Sequence, residues 1–309
     1  MRASVSDALA AFAADVGPAT DGPVVAVGHR TQWDVGGPVE PGTREVKAPA
    51  GVVAFEPAEM TVRVRAGTTV EELDHALATD GQCVALPPWG TVGGVLAVGR
   101  SGVRRLGWGP VRDTVLEVRY VSAEGTLVKG GGPTVKNVSG FDLCRLLVGS
   151  LGTLGLLAEC LLRTRPVPAG ERWLAGEVDP FELRRRLYRP AAILWDGITT
   201  WVLLDGHPAD IDAQARVAGL PEADPPAVPP RPAHRWSLRP SELRDLPTRL
   251  GAGRFLAEVG VGVVHAHEAQ PPRPVEPAVI ELHRRLRSVF DPTGRLAPGR
   301  SVLAGTAAA

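Results

Sequence analysis

The glycines of "VGSLGTLG", at positions 149, 152 and 155, constrain the fold more than any other feature of the chain. The helical pattern of "SGFDLCRLLVGS" (139–150) precedes them, with Leu143, Leu146 and Leu147 on one side. The strand pattern of "GTLGLLAECLLRTRP" (152–166) follows and closes at Pro166. A dinucleotide-binding turn of the Rossmann type needs G-x-G-x-x-G directly after a strand and opening a helix. Here the spacing is G-x-x-G-x-x-G and the order is inverted, which argues against that fold. Read alone, the glycines permit tight turns and close packing.

The flanking patterns are those of an α+β protein. Residues 4–16 read as an amphipathic helix, and "PVVAVG" (23–28) as a short buried strand. "MTVRVRAG" (60–67) alternates Val62 and Val64 against Arg63 and Arg65, as a half-exposed strand does. The next segment, 68–81, predicts a helix. Thr68 with Glu71, or Thr69 with Glu72, makes a capping box, Val70, Leu73 and Leu77 form the stripe, and Gly81 marks the end. "LPPWGTVGGVLAVGRSG" (86–102) reads as an ordered loop entering a short helix, and 114–131 as a hairpin turning at "SAEG". Beyond Pro166 the patterning weakens. "AAILWDG", "TTWVLLDG" and "RFLAEVGVGVVHA" (254–266) read as strands, 221–240 as a Pro-rich loop, and 277–299 as a helix stopped before Asp291-Pro292 followed by a tail.

Composition excludes several classes. The chain has 309 residues, 34 Lys+Arg against 34 Asp+Glu, 44% hydrophobic and 22% charged residues, as in an ordinary globular protein with no basic footprint for nucleic acid. Cys83, Cys144 and Cys160 form no CxxC, which argues against a disulfide framework, a zinc site or an iron–sulfur cluster held by this chain, and suits buried thiols in a reducing compartment. Asp7 and Asp15 interrupt the N-terminal helix, unlike a signal peptide, and the apolar runs are broken, so the expectation is a cytoplasmic protein without a transmembrane segment.

Three further loops carry glycines or small hydroxyls that can bare backbone N–H groups: "VGHRTQW" (27–33), "TVGGVLA" (91–97) and "SGVRRLGWGPVRD" (101–113). Successive N–H groups form anion-binding concavities without a basic side chain. A diphosphate held between such loops suits a chain of zero net charge.

In this order, "TVGG", "GPVRD", the hairpin and "KNVSGFDLCRLLVGSLGTLG" resemble the FAD-binding domain of the vanillyl-alcohol-oxidase/PCMH flavoprotein superfamily, and within it the glycolate oxidase FAD-binding subunits. The resemblance covers about residues 20–166 and returns at "FDPTGRLAPGR" (290–300). It implies a PCMH-type domain of two α/β subdomains over 1–166, a shortened α+β substrate or cap domain with the Pro-rich loop over 167–276, and a helix and tail over 277–309 that rejoin the flavin domain. It also implies FAD, held non-covalently. Gly28, His29, Arg30, Thr31 and Gln32 would flank the pyrophosphate with Thr91, Gly93 and Gly94. Ala97, Ser101 and Gly102 would follow it toward the flavin, and Gly155 with Leu156 and Leu157 would lie near the adenine.

The first loop departs from the family's consecutive glycines at His29 and Arg30. Arg30 gains a fork of donors for phosphate oxygens. His29 is offset from the histidine that some members bond covalently to FAD. Ala297 stands before Pro298-Gly299 where related subunits often read "NPG", which removes a polar side chain near the flavin ring. Asp142 and Arg145 read as structural, Arg145 pairing with a carboxylate on a neighbouring turn. In "VVHAHEA", His265 and His267 would share one strand face; no metal is expected there, and His265 is the weak candidate for a catalytic role. Trp89 and Trp108 can stack near a ring or lie in the core.

These readings imply an FAD-dependent oxidoreductase acting on the CH–OH group of a small 2-hydroxy acid by hydride transfer to flavin N5. A non-catalytic or electron-relaying subunit is the alternative, supporting a second flavoprotein subunit and an iron–sulfur subunit and reaching a membrane only through them. A scaffold that binds no flavin is the third.

Overall fold

The structure, a computed structural model, describes residues 5–132, 142–223, 228, 230–304 and 306–308. The start of the helix expected over 139–150, the "KNVSGF" portion of the motif, and part of the Pro-rich loop lie outside the described residues. Two compact units emerge. The first contains residues 1–102, 110–166 and 272–309, the second 103–109 and 167–271.

In chain order, α1 (Val5–Val16), β1 (Val24–Ala26), β2 (Arg44–Val46), β3 (Val52–Glu56), β4 (Thr61–Arg65), α2 (Val70–Ala78), β5 (Gln82–Val84) and α3 (Val92–Val98) belong to the first unit. The short α4 (Arg105–Trp108) belongs to the second. β6 (Val115–Val121), β7 (Leu127–Gly131), α5 (Leu143–Leu147) and β8 (Leu156–Pro166) complete the first unit's central sheet, ordered β3-β4-β8-β6-β7 with β5 pairing β8. The second unit continues with β9 (Gly170–Gly176), α6 (Pro180–Arg186), β10 (Ala192–Trp195), β11 (Thr200–Gly206), α7 (Pro208–Ala218), β12 (His234–Ser237), α8 (Leu246–Leu250), β13 (Phe255–Glu258) and β14 (Val263–Ala266). Its sheet order is β12-β14-β13-β10-β11-β9. β15 (Arg273–Val275), α9 (Pro277–Phe290) and β16 (Thr306–Ala308) return to the first unit. The chain is α+β, and no helix among the described residues is long and apolar enough to cross a membrane.

Local sequence explains much of this. Of the two capping pairs, Thr69 and Glu72 form the box that starts α2, and Val70, Leu73 and Leu77 bury into the main core with Val62 and Val64. The strand expected over 254–266 is instead the hairpin β13–β14, because Gly260 and Gly262 turn the chain at φ 83° and 84°. The loop over 221–240 contains β12, because Trp236 is buried in the second core and its indole N–H donates to the Glu268 carbonyl at 2.7 Å. Segment 103–109 is held within the second unit by Arg104, which bridges Glu171 at 2.6 Å and Asp205 at 3.0 Å, and by Trp108, which donates to Asp205 at 2.8 Å. Trp108 is thus anchored by its own polar end. Cys144 and Cys160 are buried, and burial above all pushes the Cys144 thiol up to about 11, whereas Cys83 is only half-buried.

On the polar face of the central sheet, Arg63 reaches two buried carboxylates, Glu117 at 2.8 Å and Glu159 at 3.3 Å, while Lys129 and Arg119 close in from the neighbouring strands. Burial alone would raise the Glu117 pKa, but the bonds from Arg63 and Lys129 outweigh it and hold the carboxyl below the ordinary value.

The first unit is closed by its last segment. Arg295, 3% exposed, donates to four carbonyls: Gly22 at 2.8 Å, Gly17 at 2.9 Å, Ala123 at 3.0 Å and Val16 at 2.8 Å. Arg300 donates to the carbonyls of Trp33 and Val35, both at 2.7 Å. Ala297 N–H donates to Val24, Glu40 N–H to Pro298, and Ser301 N–H to Gly36.

Arg295→Met leaves the Gly17, Gly22 and Ala123 carbonyls without their donor, Val16 keeping Arg44 at 2.8 Å, and is expected to cost roughly 3–5 kcal/mol in urea unfolding. Because the Glu117 pKa is lowered on folding, its ion pairs stabilise above about pH 4.3 and lose that effect as pH falls through the folded value. Glu117→Gln should therefore flatten the decline of the urea midpoint between roughly pH 5 and pH 3.

Candidate functional site

The end of β1 and the start of α3 face two adjoining clefts in the first unit. The first encloses about 530 Å³ of solvent-open space and is lined by Gly28, His29, Arg30, Thr31, Gln32, Thr91, Gly94 and Ala97, with Trp33, Leu151 and Arg300 among the remainder. The second, about 830 Å³, shares Gly28, His29, Thr91, Gly94 and Ala97 and adds Gly93, Lys47, Ala66, Gly67, Leu156 and Leu157. Of the residues expected from the sequence, eleven line these clefts; Ser101, Gly102 and Gly155 line neither.

The glycines have separate reasons. A Cβ on Gly28 would stand 2.4 Å from Thr91 Oγ1, and one on Gly93 2.7 Å from Ala66 Cβ. These glycines let the strand end and the helix start approach neighbouring chain closely. The amides at the start of α3 are already used: Val92 donates to Thr68 at 2.8 Å, Gly93 to Ala66 at 2.8 Å, and Gly94 to the capping Thr91 hydroxyl at 3.2 Å. The "TVGG" loop therefore shapes the cleft without offering these N–H groups. Ser101 is likewise committed, its hydroxyl accepting from Val111 N–H at 3.1 Å.

The loop after β1 differs. Among the described residues, none of the five successive amides of Gly28, His29, Arg30, Thr31 and Gln32 donates to a protein acceptor; internal donation resumes at Trp33, to Arg30 at 3.2 Å. Consecutive free amides are what an anionic ligand requires. The Arg30 backbone is left-handed at φ 57°, a conformation that ordinarily favours glycine. Its guanidinium does not lie free for a phosphate. It pairs with both carboxylate oxygens of Glu45 at 2.6 Å and approaches the Trp33 ring at 4.7 Å.

Two further expectations change. Gly155 faces Tyr120, whose Cδ2 a Cβ would meet at 2.3 Å, so this glycine serves packing. Gly99 and Gly149 pack similarly, with a Gly99 Cβ 2.9 Å from Gly149 Cα. Ala297 is fully buried at φ 44° in an apolar cluster with Val25 and Val27, so its missing polar group belongs to the core behind β1. Arg145 pairs with Asp113 at 3.3 Å, as expected of a structural residue, and Asp142 caps α5. Sequence reasoning missed Lys47 and Arg300. Lys47 directly follows a three-residue strand too short to show alternation, and Arg300 lies more than 260 positions from the loop it contacts.

In the second unit, His265 Nε2 lies 3.5 Å from Glu258 Oε1, and both side chains are largely buried on the adjacent strands β13 and β14. β14 ends at Ala266 and His267 is exposed beyond it, so the two histidines do not share a strand face. Among the described residues no group of three or more His, Cys, Asp or Glu is placed to hold a metal ion.

Comparison with known proteins adds identity to this geometry. A family model described as FAD binding domain matches residues 6–131. Glycolate oxidase subunit GlcE of Escherichia coli is 32% identical over 209 residues, which is 64% of this chain and 60% of that protein. D-lactate dehydrogenase of Archaeoglobus fulgidus is 41% identical over 106 residues, 33% of this chain and 24% of that protein. Glycolate oxidase subunit GlcD of Bacillus subtilis is 33% identical over 129 residues, 40% of this chain and 27% of that protein. The chain thus spans less than two thirds of each of these relatives. Among solved structures, alkyldihydroxyacetonephosphate synthase matches with a TM-score of 0.66 at 14% identity, over 96% of this chain and 74% of that one, a likeness of fold.

Gly155→Ala should destabilise the first unit by roughly 1–3 kcal/mol through overpacking against Tyr120. Adding Tyr120→Leu should recover part of the loss in urea unfolding, the signature of a packing contact.

Proposed function

We propose that the chain is a PCMH-type FAD-binding flavoprotein and an FAD-dependent oxidoreductase subunit acting on a small 2-hydroxy acid, a reading supported by the FAD binding domain matched over residues 6–131 and by the likeness of fold. The observation that carries the cofactor site is the run of five unused amides at Gly28–Gln32 along an open cleft. These amides hold the FAD diphosphate, with Thr91, Gly93, Gly94 and Ala97 forming the opposite side and Leu157 an apolar end. Lys47 adds a cation to the second cleft. Arg30 contributes its amide, because Glu45 occupies its guanidinium. Ser101, Gly102 and Gly155 support the loops around the site.

Bound FAD supplies a two-electron acceptor at N5 for the hydride of the substrate α-carbon. The proton on the substrate hydroxyl needs a base from the chain, and His265 is the candidate, oriented by the buried Glu258. The hydroxy-acid assignment is supported by the names of the relatives, which are glycolate oxidase subunits and D-lactate dehydrogenases. An electron-relaying subunit, working beside a second flavoprotein and an iron–sulfur subunit, is favoured by one observation: two of these relatives are named as subunits.

The visible spectrum of the purified chain separates the readings. A flavin spectrum that bleaches on anaerobic addition of glycolate or D-lactate is expected for the enzyme, and His265→Ala should slow that bleaching by about 10²-fold or more with flavin content unchanged. Bleaching only when partner subunits are present assigns the relay. A colourless protein that takes up no FAD sinks both.

A further inference from the structure

Two arginines approach the indole of Trp33, Arg30 at 4.7 Å and Arg300 at 4.3 Å, but their situations differ. Arg30 lies half in solvent, and so does its partner Glu45. Arg300 is buried at 5% exposure and lines the first cleft. Its two terminal nitrogens are spent on the carbonyls of Trp33 and Val35, immediately after the five unused amides. Its Nε is buried without a hydrogen-bond partner among the described residues.

We propose that Arg300 is the positioning residue of the diphosphate cradle: by occupying the Trp33 and Val35 carbonyls it keeps the Gly28–Gln32 amides free for FAD. The reasoning is one of competition. Buried carbonyls that lose their donors seek others. The unused donors next to them are the loop's own amides. If those amides turn inward to satisfy the loop, they no longer receive a phosphate. The guanidinium reaches the two carbonyls from two separate nitrogens fixed in one plane, which the single nitrogen of lysine does not reproduce, so lysine is an incomplete substitute. The Arg30 guanidinium, paired with Glu45 at the surface, does not satisfy these carbonyls. The inference rests on the reading of this cleft as the FAD site.

The test uses full-length apo-protein and titration with FAD and with ADP, followed by flavin fluorescence and calorimetry. Arg300→Met should weaken both ligands by about 30-fold or more, and by similar factors, because the shared diphosphate is what is lost. Arg300→Lys should fall between that variant and wild type. In the apo-protein, hydrogen exchange at residues 28–32 should be fast in wild type and slowed in Arg300→Lys as the amides find internal partners. A merely structural role would lower the melting temperature without slowing that exchange. Should Arg300→Met fail to fold, Arg300→Lys carries the test alone. Wild type that binds FAD, with Arg300→Met or a folded Arg300→Lys equal to it or with unchanged exchange at 28–32, overturns the inference. Wild type that binds no FAD overturns the flavin reading and this inference with it.

Discussion

The first unit depends on carbonyl groups near the start of the chain being satisfied by arginines near its end. Four carbonyls between Val16 and Ala123 converge on Arg295, and two more meet Arg300. Arginine suits this role because its five donors are fixed in a plane and its charge strengthens each bond. Burial draws both guanidiniums below the ordinary arginine value without bringing them near neutrality in the physiological range. The short parallel pair β1–β2 cannot supply these donors, so the loop that follows β1 owes its shape to a distant segment.

Glycine serves three separate ends here. At 28 and 93 it allows close approach around Thr91 and Ala66, and at 155 it makes room for Tyr120. The glycine-rich "TVGG" loop has its first amides bonded internally, whereas the loop with fewer glycines, carrying His29 and Arg30, has its amides free. Glycine content alone therefore misidentifies the donors. What decides is whether each N–H already has a partner.

Much of the fold was legible from local signals. The capping box of α2, the alternation of β4, the hairpin β6–β7 and the stop of α9 at Asp291 each follow from a few adjacent residues. The short strands β2, β5 and β12 were not, because three or four residues show no usable period and are fixed by pairing with distant partners. The hairpin β13–β14 was hidden because Val259 and Val261, which have strand propensity, alternate with the two glycines of its turn. Most of the expected site residues do line the clefts. The misread roles of Arg30, Gly155 and Ala297 share one cause: each is set by a contact with Glu45, Tyr120 or Val25, which no local pattern encodes.

The long separation between Trp33 and Arg300 has a consequence in time. On the ribosome, the loop after β1 emerges about 260 residues before the arginine that secures it. At roughly 5–20 residues per second that interval is on the order of 13–50 seconds. During it the loop has no donor for its buried carbonyls, and the growing chain holds an unfinished cleft. Flavin capture is thus a late event in the life of the nascent protein, completed only after the second unit has been synthesised. A chain interrupted between Pro166 and residue 300 would carry nearly the whole FAD-binding sequence and still lack the arginine that secures the loop.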